Sequence, residues 1–144
     1  MSDERTLHVE VVTPDGQVYA GDVAMVVLPG VDGELGILPR HQPVVTLLAI
    51  GETRVRTVSD EWDYIATGIG YAQVLFDKVL VVVDPGELAG AIDVARAEEA
   101  ERRARERTQE RGGDLGAQAD VDYFRAEQAL KRAENRLNVS RRAR

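Results

Sequence analysis

Apolar and polar residues alternate near the start of the chain, with Leu7, Val9 and Val11 each two positions apart. That period belongs to a strand with one buried face. Thr13-Pro14-Asp15-Gly16 follows, a turn in which Pro fixes φ and Gly permits φ > 0. Further runs rich in β-branched residues lie at Val23–Leu28, Leu35–Leu38, Val44–Ile50, Thr53–Val58, Trp62–Thr67, Tyr71–Phe76 and Val79–Val83, most of them separated by Gly, Pro or Asp. No helical stretch comes between them, so the pattern predicts an antiparallel sandwich or barrel rather than βαβ units. The run Val79 to Val83 is apolar throughout and is expected to be buried on both faces.

The period changes after Asp84-Pro85-Gly86. From Ile92 the chain is rich in Ala, Glu and Arg, a helical composition. Ala97, Ala100 and Ala104 recur at spacings of three and four, and Glu98–Arg102, Glu99–Arg103 and Glu101–Arg105 are Glu-to-Arg pairs at i,i+4. Each pair is worth ~0.2–0.5 kcal/mol. Arg111-Gly112-Gly113-Asp114 is expected to end this helix, and Asp120 or Asp122 to cap a second. In the second helix Tyr123, Ala126, Leu130, Ala133 and Leu137 step 3-4-3-4, a seam for a partner helix. The expected architecture is a β-domain over residues 1–88 and an antiparallel two-helix hairpin over 89–144. Alanine methyls bury little, ~0.8 kcal/mol per CH₂-sized group, so the hairpin is expected to close or open at small cost.

Composition narrows the function. The longest stretch without a charged residue, Tyr64 to Phe76, holds Gly68 and Gly70 and falls short of the ~18 apolar residues of a membrane span. Met-Ser-Asp-Glu-Arg has no apolar core for a secretory signal, so a cytoplasmic address is the expectation. Cysteine is absent, which removes disulfides, thiolate zinc sites and a cysteine nucleophile. The net charge of −7 argues against nucleic acid as the main partner. That charge is uneven: residues 1–90 carry 5 Lys+Arg and 14 acids, residues 91–144 carry 13 and 11. Two units with different partners are implied.

No phosphate-binding loop occurs, Gly68-Ile69-Gly70 lacks the rest of a dinucleotide fingerprint, and His8 and His41 have no partner His at metal-ligand spacing. A catalytic site is not expected. The most defined stretch is Pro29-Gly30-Val31-Asp32-Gly33-Glu34-Leu35-Gly36-Ile37-Leu38-Pro39-Arg40-His41-Gln42-Pro43, whose glycines and prolines fix a loop geometry. It closely resembles the Gly-Glu-Leu-Gly-Ile-Leu-Pro-x-His signature of the epsilon subunit of bacterial F-type ATP synthases. The resemblance continues through Val11–Gly16, Tyr64-Ile65-Ala66, Ile92–Ala97 and Leu130–Leu137.

The resemblance implies an N-terminal β-sandwich that holds the gamma subunit and sits on the membrane ring, with the C-terminal helices switching between a folded state and one extended into the catalytic head. It implies a non-catalytic, peripheral rotor subunit on the cytoplasmic face of the membrane that restrains ATP hydrolysis and needs no cofactor, with ATP as a regulatory ligand of the folded state in some members. By match to the signature, Glu34 and His41 would face the ring and gamma. The nucleotide pattern Ile/Leu-Asp-x-x-Arg-Ala is met by Ile92, Asp93, Arg96 and Ala97, and Glu87, Arg132 and Arg136 match further ATP-contacting positions. Arg125, Arg132 and Arg136, with Ala129 among them, form a stripe beside the seam, and arginine presents a fixed fork to phosphate. Read without the family, Asp93 is a helix N-terminal acid, and Glu87 the third position of a cap set by Asp84 and Pro85. The arginine-rich stretch between Arg96 and Asp120 is longer than in the ATP-binding members, so the resemblance assigns no further ligand there. The rival reading is a stand-alone adaptor whose two units bind two soluble partners.

Overall fold

The computed structural model describes residues 6–109 and 117–143. Seven strands come first: β1 (Leu7–Thr13), β2 (Gly16–Gly30), β3 (Gly33–Ile37), β4 (Val44–Leu48), β5 (Gly51–Thr57), β6 (Trp62–Leu75) and β7 (Lys78–Leu88). A 3₁₀ turn at Ala89–Ala91 leads to helices α1 (Val94–Gln109) and α2 (Ala117–Ser140) and a final 3₁₀ turn at Arg141–Ala143. The expected turn after Thr13 forms, with Gly16 at φ 128, a conformation that L side chains avoid.

The long strands β2 and β6 make a sandwich out of one hydrogen-bonded circuit. The first half of β2 pairs with β1, and its second half pairs with β5 and β3. On β6, Trp62 to Thr67 pair with β5 while Gly70 to Val74 pair with β4. Each long strand therefore passes from one layer to the other. Leu7, Val9, Val11, Val26, Leu28, Ile37, Val55, Ile65 and Val81 are wholly buried between the layers. Thr53 and Thr67 are buried among them and satisfy each other at 2.9 Å. Thr67 Oγ1 gives its proton to the Gly51 carbonyl, which leaves Thr53 as the donor between the two hydroxyls.

β1 and β7 run parallel (His8 opposite Lys78 to Val12 opposite Val82), whereas an all-antiparallel sheet was expected. The first and last strands share no hairpin that would reverse them. β6 is continuous through Gly68–Gly70 rather than two strands, and β7 runs on through Asp84-Pro85-Gly86 to Leu88. Val79, Val81 and Val83 are buried while Leu80 and Val82 are only half-buried, so β7 alternates instead of being covered on both faces.

The helices pack along the expected alanine seam, with Ala97, Ala104, Ala126, Ala133 and Leu137 buried. Ile92, just before α1, meets Val139 near the end of α2, so the two helices run antiparallel. Arg103 pairs with Glu99 at 3.1 Å and Arg105 with Glu101 at 3.3 Å. Arg102 reaches Glu99 and Glu106 rather than its expected partner Glu98. The α1 cap is Asp93, whose Oδ1 accepts from the Arg96 N–H at 3.1 Å. Asp84, Pro85 and Glu87 all lie on β7, so the cap expected from Asp84 and Pro85, with Glu87 as its third position, does not form. α2 starts at Ala117, so Asp120 sits in its first turn and neither Asp120 nor Asp122 is the cap. The expected helix end at Arg111–Asp114 lies outside the described residues.

Candidate functional site

The surface where α2 meets the sandwich collects most of the candidate residues. Arg132, Asn135, Arg136 and Val139 recur at spacings of three and four, which places them on one side of the helix, and Arg142 follows in the 3₁₀ turn after it. Ala133 and Leu137 occupy the different side that meets α1. At the centre is a small apolar patch: Ala66 of β6, Ala89, Ile92 and Val139 are buried together, and Tyr64 packs against them.

Polar contacts surround the patch. Asn135 Nδ2 donates to the Gly51 carbonyl at 2.8 Å, the same oxygen that Thr67 uses. Arg136 grips Glu87 with two nitrogens, at 2.6 and 3.4 Å. Arg142 grips Glu52 in the same manner, at 3.0 and 3.3 Å, and its guanidinium lies 4.9 Å from the centre of the Tyr64 ring. Hydrogen bonding to Glu52 raises the Arg142 pKa further above its ordinary value. A forked guanidinium matched to a carboxylate fixes geometry as well as charge.

Of the ATP candidates, Glu87, Arg132 and Arg136 line one cleft, together with Ile50, Gly68 and Pro85. The cleft has a free volume of only about 10 Å³, scarcely room for one water. Arg132 has no ion pair among the described residues. Ile92 lies in the apolar patch, Ala97 in the helix–helix seam, and Asp93 and Arg96 are exposed at the start of α1. Neither Asp93 nor Arg96 lines the cleft, so the candidate set is split between this cleft and the start of α1.

The two rotor candidates lie elsewhere, on and just after β3. Glu34 accepts from Arg54 at 3.2 Å, and His41 donates from Nδ1 to the Gln42 carbonyl at 2.7 Å. Their segment is pinned by the Arg40 N–H, which donates to Asp77 at 2.7 Å with Arg40 at φ 68. His8 is half-exposed on β1 between Asp22 and Glu10, whose hydrogen bonds raise its pKa. Glu52 and Asn135 carried no signal in the sequence, because their partners lie 90 and 84 positions away. No helix of the described residues is long and apolar enough to cross a membrane.

Comparison with known proteins matches both units. A family model described as ATP synthase, Delta/Epsilon chain, beta-sandwich domain covers residues 6–89. A second, described as ATP synthase, Delta/Epsilon chain, long alpha-helix domain, covers residues 91–141. The ATP synthase epsilon chain of Halalkalibacterium halodurans is 47% identical over 137 residues, covering 95% of this chain and 98% of the relative. That of Bacillus mycoides is 46% identical over 136 residues, covering 94% and 97%. A chain in the cryo-EM structure of Euglena gracilis mitochondrial ATP synthase (OSCP/F1/c-ring, rotational state 1) has the same fold. It superposes with a TM-score of 0.74 at 22% identity, over 90% of this chain and 78% of that one.

Proposed function

The chain belongs to the ATP synthase delta/epsilon chain family, and from that premise we propose that it is a non-catalytic central-stalk subunit. In this reading its sandwich binds the gamma subunit and the membrane ring, and its hairpin restrains ATP hydrolysis by leaving the sandwich for the catalytic head. The observation that carries the stalk role is an uncovered apolar face on β4 and β6. Val45, Leu47, Ile69 and Tyr71 are 69%, 63%, 57% and 41% exposed, and Leu47 stands opposite Tyr71. Side chains two apart on a strand share a face, so the four form one patch, and a contiguous apolar patch on a soluble chain marks a partner surface. Glu34 and His41, on and just after β3, are the proposed contacts to the ring. The protein would then be held at the cytoplasmic face of the membrane through its partners.

Truncation after Leu88 tests both roles. The shortened chain retains the buried core of the sandwich and is expected to keep β-type circular dichroism and to co-purify with gamma and the catalytic head. Hydrolysis by that complex at low ATP is expected to rise several-fold. Recovery without gamma would leave the adaptor reading standing, and unchanged hydrolysis would remove the regulatory one.

ATP is the proposed ligand of the folded hairpin. The reading is supported by Arg132, a half-buried arginine with no ion pair among the described residues. A 10 Å³ cleft cannot take a triphosphate, so the phosphates would meet Arg132 from the solvent side, with Arg136 joining on release from Glu87. Arg132→Ala is expected to weaken ATP binding at least tenfold, since a hydrogen bond to a charged group contributes about 1.5–3 kcal/mol. Calorimetry on the isolated chain, with exposed Arg103→Ala as control, decides it. Equal affinities in the two variants would exclude Arg132 as a ligand.

A further inference from the structure

We propose that Arg142, Glu52 and Tyr64 form a latch that sets how readily the hairpin leaves the sandwich. The inference rests on the regulatory reading above and names the contact that governs the departure. α1 is tied to the sandwich through the 3₁₀ turn at Ala89–Ala91, whereas among the described residues the far end of α2 is held to the sandwich by side-chain contacts. Its apolar anchorage is small, being chiefly Val139 against Ala66, Ala89 and Ile92. Beyond that patch, Arg142 lies in the last 3₁₀ turn and reaches across to β5 and β6.

Three features mark this contact as the restraint. Glu52 is a carboxylate only 17% exposed, and its sole other described cation is Arg54 at 3.9 Å. Arg142 satisfies it with two parallel hydrogen bonds, and the same guanidinium covers the Tyr64 ring, an attraction between cation and ring face. Tyr64 in turn packs on the patch that holds Val139, so polar and apolar anchors share one side chain. Releasing α2 therefore strips Glu52 of its fork and uncovers Tyr64 in one step. It also frees the Arg142 guanidinium for acidic surface elsewhere.

The absence of cysteine permits a direct test. In Val139→Cys, the new thiol lies in the docking patch at a position 1% exposed, and its reaction with a thiol reagent reports the released population even when that is small. Glu52→Gln in this background is expected to speed labelling about fivefold, the upper range for a half-exposed forked ion pair. Arg142→Lys, which keeps the charge but loses the fork, should give a smaller increase. A Val81→Cys reference in the sandwich core should label at the same rate with or without Glu52→Gln, excluding global unfolding. In an Arg142→Ala background the Glu52→Gln effect should vanish, because the two residues act as one contact.

Labelling unchanged within twofold by Glu52→Gln, or an equal acceleration with and without Arg142, overturns the latch. The isolated chain gives this readout without any hydrolysis measurement. A latch that behaves as expected beside a truncated chain that leaves hydrolysis unaltered would sink the regulatory reading alone. If hydrolysis responds to truncation but labelling ignores Glu52, the latch alone is lost.

Discussion

Gly70→Ala is expected to destabilise the chain by about 3 kcal/mol, the upper end of the usual cost of overpacking a close-packed interior. Gly70 lies on β6 directly opposite Val83 of β7. A Cβ there would stand 1.9 Å from the Val82 carbonyl oxygen and 2.8 Å from the Val83 Cα. Both are backbone atoms of a paired strand, so no side-chain rotation relieves the overlap and the ladder itself must part. Gly68 faces the same obstacle, with the Asp84 carbonyl oxygen at 2.2 Å. For a domain of this size about 3 kcal/mol lowers the melting temperature by roughly 12–24 °C. Thermal denaturation followed by circular dichroism measures it, with Gly90→Ala as control because an added Cβ there meets nothing within 4 Å. Equal melting temperatures for the two variants would show that β6 and β7 are not so closely apposed.

That glycine pair also shows where the sequence misleads. Gly68 and Gly70 read as a break between two strands, since glycine weakens strand interiors and marks turns. In the folded chain they are the positions at which one long strand can lie against β7. The alternating segments were legible because burial of one face imposes a period of two, and Leu7, Val9 and Val11 are wholly buried as that period requires. The parallel pairing of β1 with β7 was not legible, since periodicity carries no strand direction. The hairpin seam was readable from Ala97, Ala104, Ala126 and Ala133 for the same reason as β1: regular spacing selects one face.

The candidate site was legible only by resemblance, and only in part. Arg136 and Glu87 do meet, as a cation and an acid placed on different elements. Asp93 is engaged as the cap of α1, the role that chemistry alone assigns to an acid before a helix. The contacts of Glu52, Asn135 and Arg142 join residues far apart in the chain, and no local pattern encodes such pairs. They appear only once α2 is laid on β5 and β6.

Leu47→Asp is expected to weaken binding to the gamma subunit on the order of 100-fold while leaving the free chain as stable as before. The proposed interface centres on Leu47, which lies between Val45 and the cross-strand Tyr71. A leucine taken from solvent into an interface contributes about 1.5–3 kcal/mol, and an aspartate in its place must also shed its hydration against an apolar partner. A combined loss near 3 kcal/mol corresponds to about two decades in affinity. In the unbound chain Leu47 is 63% exposed, so its replacement is a surface change within about 0.5 kcal/mol of neutral. Val58→Asp is the matching control: Val58 is 69% exposed and lies just beyond the end of β5, off the β4–β6 face. Titration of gamma with each variant, beside their melting temperatures, separates the outcomes. Weakening confined to Leu47→Asp locates gamma on β4 and β6. Equal weakening in both variants points to net charge acting at a distance, and wild-type affinity in Leu47→Asp moves the gamma contact to another face of the sandwich.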